Sequence, residues 1–223
     1  LSIFDFKKSN KTKAKKFNKK SFYRQNTFSY TQLETYARCP LRFKYQYVLN
    51  IPTPPTSAAS FGESIHKTLQ LFYKLFAENK KVGRHKLLEL YKISWVPAGY
   101  LSESHQKKMY LEGKQMINRY FKKIHNKNLQ ILALEKTFKI KVDGNTNIVG
   151  KIDRVDIKPD GKLEIIDYKT GKIPDDKEIK KNLQLPIYGL AATNKGLYGK
   201  KIEDVIMSFH YLQVPETSTY ILK

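Results

Sequence analysis

Two aspartates and a lysine lie on neighbouring predicted strands in the segment GKIDRVDIKPDGKLEIIDYKTGK, residues 150–172. Within it, the stretch KPDG at 158–161 is typical of a type I turn, with Gly161 supplying the left-handed residue of a short hairpin loop. The opposed pairs that this turn predicts are Ile157 with Leu163, Val155 with Ile165, and Asp153 with Asp167. Because side chains alternate along a strand, all six are predicted on one face of the hairpin.

The chemistry predicted for this face is that of a divalent cation site. Directly opposed residues have β-carbons about 4.5–5.5 Å apart, where two carboxylates repel each other. A hard cation between Asp153 and Asp167 relieves the repulsion, and carboxylate oxygens suit Mg²⁺ or Mn²⁺. Lys169, on the same face, could orient a water or stabilise charge on a phosphate. The alternative is an exposed, charged hairpin end, with Asp167 and Lys169 as an ordinary surface pair.

The elements around the hairpin alternate between helical and strand patterns. Predicted strands cover 131–142, 147–158, 162–169, 202–213 and 217–222. Predicted helices begin near Ser29 or Thr31, at a Ser60 cap, and at 102–126 and 176–193, the last kinked by Pro186. In the second helix, Ile65, Leu69, Phe72 and Phe76 share one buried face. This order predicts a three-layer α/β or α+β fold.

Composition bounds the class of protein. The 223 residues include 42 Lys and Arg against 20 Asp and Glu, a net charge of +22, and 40% are apolar. Residues 1–26 are predicted to form a basic, flexible linker or tail, and 27–223 a single domain, with its end left open because the chain stops inside a predicted strand. The charge favours a nucleic acid partner first and an anionic membrane surface second. The lack of a long apolar run argues against a membrane span and favours a cytoplasmic, nucleoid-associated protein.

These residues resemble the PD-(D/E)xK nucleases, in particular their RecB-like branch. Asp153 followed by Asp167-Tyr168-Lys169 is similar to the family's core. The further similar motifs, in chain order, are SYTQLETYARCPLRFKYQY at 29–47, Gly62 and His66 in FGESIHKTLQLF, GKIDRVD at 150–156, and QLPIY at 184–188. The first of them resembles the opening helix of nuclease modules at the C-terminal ends of UvrD/AddB-type helicases. The resemblance implies a restriction-endonuclease-like core, with a mixed central sheet and an antiparallel meander flanked by helices.

The resemblance also implies a role for each matching residue. His66, Asp153, Asp167 and the backbone carbonyl of Tyr168 would be metal ligands, and Lys169 the catalytic lysine. Without the resemblance, a lone histidine such as His66 is more often a core or surface residue.

Three further residues each have more than one interpretation. Glu135 matches a further acidic position that supports the site or a second metal, although it could simply pair with a lysine. Gln184 and Tyr188 would line the DNA path or brace Lys169, although both could serve packing alone.

The implied function is metal-dependent DNA hydrolysis, with Mg²⁺ or Mn²⁺ as cofactor. Single-stranded DNA is the favoured substrate, cut as an exonuclease in repair or recombination, with a helicase linked to or associated with the domain. The alternatives are a catalytically inactive DNA-binding module of a helicase and a stand-alone CRISPR-associated RecB-like exonuclease. Many relatives hold an iron–sulfur cluster with about four cysteines. Because Cys39 is the chain's one cysteine, predicted to be buried on its helix, we expect no such cluster in this chain.

Overall fold

A mixed six-stranded sheet forms the centre of the computed structural model. The structure describes residues 26–175, 178, 182–214 and 216–221. The strands are β1 (Thr27–Ser29), β2 (Gln130–Asp143), β3 (Thr146–Ile157), β4 (Leu163–Lys169), β5 (Val205–Tyr211) and β6 (Glu216–Ile221). The helices are α1 (Tyr30–Arg38), α2 (Pro40–Phe43), α3 (Ser57–Glu78), α4 (Arg84–Ser94), α5 (Glu103–Lys123) and α6 (Gln184–Thr193), with a π-helical turn at Lys44–Val48 and a 3-10 turn at Ile202–Asp204.

The sheet runs in the order β1-β3-β4-β5-β6, and β2 also pairs with β3. The β1–β3 and β4–β5 pairs are parallel, and the others are antiparallel. Helices α3, α4 and α5 form one hydrophobic core with the sheet, and α6 forms a second core with other residues of β2–β5. The predicted mixed fold of helices and strands is therefore confirmed.

The predicted hairpin register is correct. Val155 pairs with Ile165 and Ile157 with Leu163, and the ladder continues in the same register to Arg154 and Ile166. The Gly161 amide donates to the Lys158 carbonyl, and Gly161 has a φ of 80°, as the turn requires. Local turn chemistry thus sets the position of every residue on β4 relative to β3.

One predicted helix start is wrong, and the predicted helix over 176–193 is interrupted. Helix α3 begins at Ser57, because the Thr56 side chain accepts from the Ala59 amide directly after the proline-rich loop. Residues 182–183 are not helical, and helix α6 begins at Gln184, which leaves Pro186 in the first turn, where a missing amide costs little, instead of at the predicted kink. Most of the earlier part of the predicted helix, 176–181, lies outside the described residues, as does the predicted linker apart from Asn26.

Helix α4 was not predicted, although its sequence carries the signal. Leu87, Leu90, Tyr91 and Ser94 are buried at helical spacing, and the three apolar ones pack in the first core. Its N-terminus at Gly83 has no side-chain cap, so the usual start signal is missing. Within the described part of the chain, no helix combines the length and the apolar character needed to cross a bilayer.

Two helical glycines give a matched pair of stability predictions. A Cβ at Gly62 would meet only the Thr170 hydroxyl, at 3.8 Å, whereas a Cβ at Gly113 would overlap the Tyr91 hydroxyl and lie 2.9 Å from the Phe61 ring. Gly62→Ala should therefore raise the free energy of unfolding by about 0.5–1 kcal/mol through helix propensity. Gly113→Ala should lower it by about 1–3 kcal/mol, because overpacking outweighs the same propensity gain. Urea titration of both variants checks the signs, and a stabilised Gly113→Ala would contradict the packing described here.

The acid stability of the protein should depend on His125. Its ring stacks on Phe121 with centroids 4.6 Å apart, and burial, aided by nearby cations, lowers the pKa to about 4. Between about pH 6.5 and pH 4, His125 therefore binds a proton in the unfolded chain but stays neutral in the folded chain. We expect His125 to account for a loss of roughly 1–2 kcal/mol of stability over this range, after allowing for its partial exposure. His125→Phe should flatten this part of the stability profile in urea titrations at successive pH values. An unchanged slope would contradict the assignment.

Candidate active site

Three carboxylates lie at one level across β2, β3 and β4. Leu134 pairs with Arg154 and Lys136 with Ile152, so Glu135 lies level with Asp153. Asp153 and Asp167 are the next residues beyond the last β3–β4 pair, Arg154 with Ile166. Asp153 and Asp167 are 7% and 3% exposed, so their charges are largely removed from water. This row is the first part of the candidate active site.

His66 and the β4 backbone both contact Asp153. The Nδ1 atom of His66, on α3, lies 3.3 Å from Oδ2 of Asp153. The same carboxylate oxygen accepts a hydrogen bond of 2.9 Å from the Tyr168 amide. Burial alone would lower the pKa of His66, but the hydrogen bond and charge of Asp153 outweigh burial and raise it. The distant histidine predicted from the family resemblance therefore lies in the site.

Lys169 and Gln184 surround Asp167. Lys169 Nζ lies 2.7 Å from Asp167 Oδ2 and donates to Gln184 Oε1 at 2.7 Å. Gln184 Nε2 in turn donates to Asp167 Oδ1 at 2.7 Å. Burial, with the charge of Asp153, raises the pKa of Asp167 in spite of the Lys169 ammonium. The buried carboxylate is thus incompletely compensated by the surrounding side chains.

Tyr188 fixes the position of Gln184 from one turn further along α6. The side-chain Nε2 of Gln184 lies 2.8 Å from the Tyr188 hydroxyl, which donates to the Lys151 carbonyl at 3.1 Å. Burial, with the charge of Asp167, raises the pKa of Tyr188, so its hydroxyl stays protonated. Of the two interpretations from the sequence, these contacts match bracing of Lys169.

One of the two interpretations of Glu135 matches an observed contact. Its carboxylate forms an ion pair with Lys151, and it lies level with Asp153. Its φ of 51° places it in the left-handed region, which is rare for a residue inside a strand. Backbone strain of this kind concentrates at functional sites. Whether Glu135 acts in the site stays a prediction.

The residues at this site fit a divalent cation by their chemistry. Carboxylate oxygens with one imidazole nitrogen are donors that Mg²⁺ and Mn²⁺ accept. Asp167 Oδ2 is buried, and apart from its ion pair with Lys169 it has no hydrogen-bond partner among the described residues. In the part of the chain that the structure describes, no three His, Cys, Asp or Glu side chains stand in a ready-made coordination geometry. His66 is instead drawn to Asp153 and Lys169 to Asp167.

The sequence prediction missed three residues around the site and misplaced one. Lys151 forms an ion pair with Glu135, and the Asn182 side chain accepts a hydrogen bond of 2.8 Å from the Gln184 backbone amide. The charge of Asp167 contributes to the raised pKa of Tyr30. Lys151 stands inside the GKIDRVD motif and could have been found there, whereas the other two come close only through tertiary packing. Cys39, predicted to be buried, is exposed between α1 and α2, where its sulfur accepts from the Arg42 amide.

Comparison with known proteins gives the family. The profile of the PD-(D/E)XK nuclease superfamily matches residues 27–220. The chain belongs to this superfamily. Its mixed sheet with flanking helices is therefore a restriction-endonuclease-like fold. The predicted RecB-like branch is supported by similarity to a helicase/deoxyribonuclease subunit.

Individual relatives are distant and mostly longer. A subunit of an ATP-dependent helicase/deoxyribonuclease from Carboxydothermus hydrogenoformans is 29% identical over 82% of this chain and 20% of its own length. An uncharacterized protein of Rickettsia bellii is 26% identical over 88% of this chain and 26% of its own length. The Gene 69 protein of Mycobacterium phage L5 is 23% identical over 73% of this chain and 69% of its own. The chain thus spans about a quarter or less of the length of the first two.

Proposed function

We propose that this PD-(D/E)XK nuclease domain hydrolyses phosphodiester bonds in DNA with the help of Mg²⁺ or Mn²⁺. The observation that carries the proposal is the convergence of His66, Asp153, Asp167 and Lys169 around one buried acidic row. An inactive DNA-binding relative would be expected to have lost at least one of these four. A net charge of +22 suits a polyanionic substrate.

Each side chain of the site has its own part in this reaction. His66, Asp153 and Asp167, with the backbone carbonyl of Tyr168, would hold the cation. When bound, the cation would polarise the scissile phosphate and lower the pKa of a water molecule. Lys169 stabilises the negative charge that develops on the phosphate, from a position fixed by Gln184 at 2.7 Å. Gln184 and Tyr188 are positioning residues, since Gln184 contacts both Lys169 and Asp167, and Tyr188 contacts Asp167.

The substrate and setting are proposed at a finer level. We propose cleavage from an end of single-stranded DNA, in repair or recombination, with a helicase linked to or associated with this domain. The relative from Carboxydothermus hydrogenoformans supports that association, since it belongs to a helicase/deoxyribonuclease and this chain matches only 20% of its length.

Cleavage of end-labelled DNA tests the proposal. Single strands, duplexes and circular single strands are incubated with Mg²⁺, with Mn²⁺ and with EDTA. We expect linear single strands to be shortened only when a divalent cation is present, and circles to resist. Binding of DNA without any cleavage would instead identify an inactive DNA-binding module, and cleavage in EDTA would contradict the metal requirement.

A further inference from the structure

Two cavities lie side by side next to the candidate active site. The smaller, of about 150 Å³, is lined at one end by Lys169 and Lys172. The larger, of about 540 Å³, lies between α1 and the described residues Pro174, Asn182 and Leu183. Pro174 and Asn182 line both cavities. The larger cavity therefore adjoins the smaller one, which the candidate catalytic lysine lines.

The larger cavity has apolar walls and a polar rim. Its apolar walls include Leu33, Ala37, Pro174 and Leu183, beside the ring of Tyr30. Leu183 is 58% exposed. The volume of 540 Å³ lies within the range of about 300–1,000 Å³ typical of small-molecule sites.

Polar groups line the rim of the same cavity. An ion pair of 2.9 Å joins Glu34 to Arg38 on α1, and Asn182 lies on the opposite side. A flat ring with hydrogen-bonding edges matches such a cavity, because its faces contact apolar side chains and its edges meet polar ones.

Direct contacts link this cavity to the site. The Asn182 side chain accepts a hydrogen bond from the Gln184 amide, and Gln184 binds both Lys169 and Asp167. Burial and the neighbouring Glu34 raise the pKa of Tyr30 to about 12, so its ring meets the cavity with a neutral hydroxyl. A ligand in the cavity therefore lies beside the place where a phosphate would meet Lys169.

We propose that the larger cavity binds one unpaired nucleobase of the strand that is cut, while a neighbouring phosphate lies at Lys169 and Lys172. This inference rests on the proposed nuclease function and adds the reason for a single-stranded substrate. A base must leave its stack and its partner to enter such a cavity, so a duplex cannot fill it without opening. Contacts with the faces of a base are tolerant of sequence, so most bases should be accepted.

Binding to two matched strands tests the proposal. A labelled thymidine oligonucleotide and an abasic strand of the same length are titrated by fluorescence anisotropy, with Ca²⁺ as the cation. We expect the parent protein to bind the thymidine strand about tenfold or more tightly than the abasic strand, from stacking of one or more bases. Ala37→Trp fills the cavity without touching the candidate catalytic residues. It should weaken binding of the thymidine strand several-fold and leave the abasic strand almost unaffected.

The control variant is Thr31→Trp, which adds the same side chain to an exposed position of α1 that does not line the cavity. This variant should bind the thymidine strand and the abasic strand with the same affinities as the parent protein. If Ala37→Trp lowers the affinity for both strands equally, or for neither strand, the proposal is overturned. Cleavage of the thymidine strand with Mg²⁺ or Mn²⁺ is measured separately on the parent. Its absence would refute the proposed function, whereas the binding comparison still decides the base site.

Discussion

Lys169→Ala should reduce the rate of DNA cleavage by about 10²–10³-fold while leaving the fold intact. The ammonium lies 2.7 Å from both Asp167 Oδ2 and Gln184 Oε1, so its position is fixed before a substrate arrives. Pre-set charge of this kind acts mainly in the transition state, and its removal should therefore lower kcat more than it weakens DNA binding. Single-turnover cleavage of end-labelled DNA, with affinity measured in Ca²⁺, separates the two effects.

Two further variants sharpen this experiment. Lys169→Arg should not restore the rate, because a planar guanidinium cannot replace a compact ammonium between two fixed oxygens. Lys162→Ala removes an equal charge from the exposed hairpin turn and should cut DNA at the parent's rate. If Lys169→Ala also cuts as fast as the parent, the assignment of the site is wrong.

Arg154→Ala should lower the free energy of unfolding by about 3–5 kcal/mol. Arg154 is 2% exposed, lies 3.0 Å from Asp156 Oδ2 and donates to the Tyr168 hydroxyl at 2.9 Å. Its guanidinium also lies over the Tyr73 ring, 4.2 Å from the centroid. Removing it leaves the Asp156 carboxylate buried without its cation. A loss of this size is a large share of the stability of a typical domain, about 5–15 kcal/mol.

A double variant distinguishes the buried charge from lost packing. Arg154→Met combined with Asp156→Leu removes both charges at similar volume, and should be markedly more stable than Arg154→Met alone. Arg154 Nε and Asp156 Oδ1 form no hydrogen bond in the described part of the structure, so the natural pair is itself incompletely satisfied. Urea titrations of the single and double variants give the coupling energy. Additive effects would contradict the description of this pair as mutually dependent.

Much of the site could be predicted from the sequence because one short turn specifies it. The KPDG turn fixes the β3–β4 register, whose last pair, Arg154 with Ile166, adjoins Asp153 and Asp167, and alternation brings Lys169 to the same face. Asp156 pairs with Arg154, two residues before it on the same strand. Each of these relations spans few residues and follows from local backbone geometry.

The remaining relations depend on packing between distant segments. His66 stands 87 positions before Asp153, and only the family resemblance, not its helical pattern, indicated that the two meet. The capping signal at Ser60 failed since Thr56 offers an earlier cap, and the Ser60 carbonyl instead accepts from the Ser64 hydroxyl inside α3. Tyr30 carried no signal at all, because its proximity to Asp167 arises only when α1 packs against the second core.

The tight loop between β3 and β4 lies at the far end of the hairpin from Asp153, yet its length governs whether the acidic row exists. Adding or deleting one residue there would shift β4 by one position and send Asp167 and Lys169 through the sheet to the side occupied by Tyr168. The length of this loop and the positions of Asp167 and Lys169 can therefore change only together. Natural variation in length should be tolerated at other surface loops of this domain well before it is tolerated between Lys158 and Lys162.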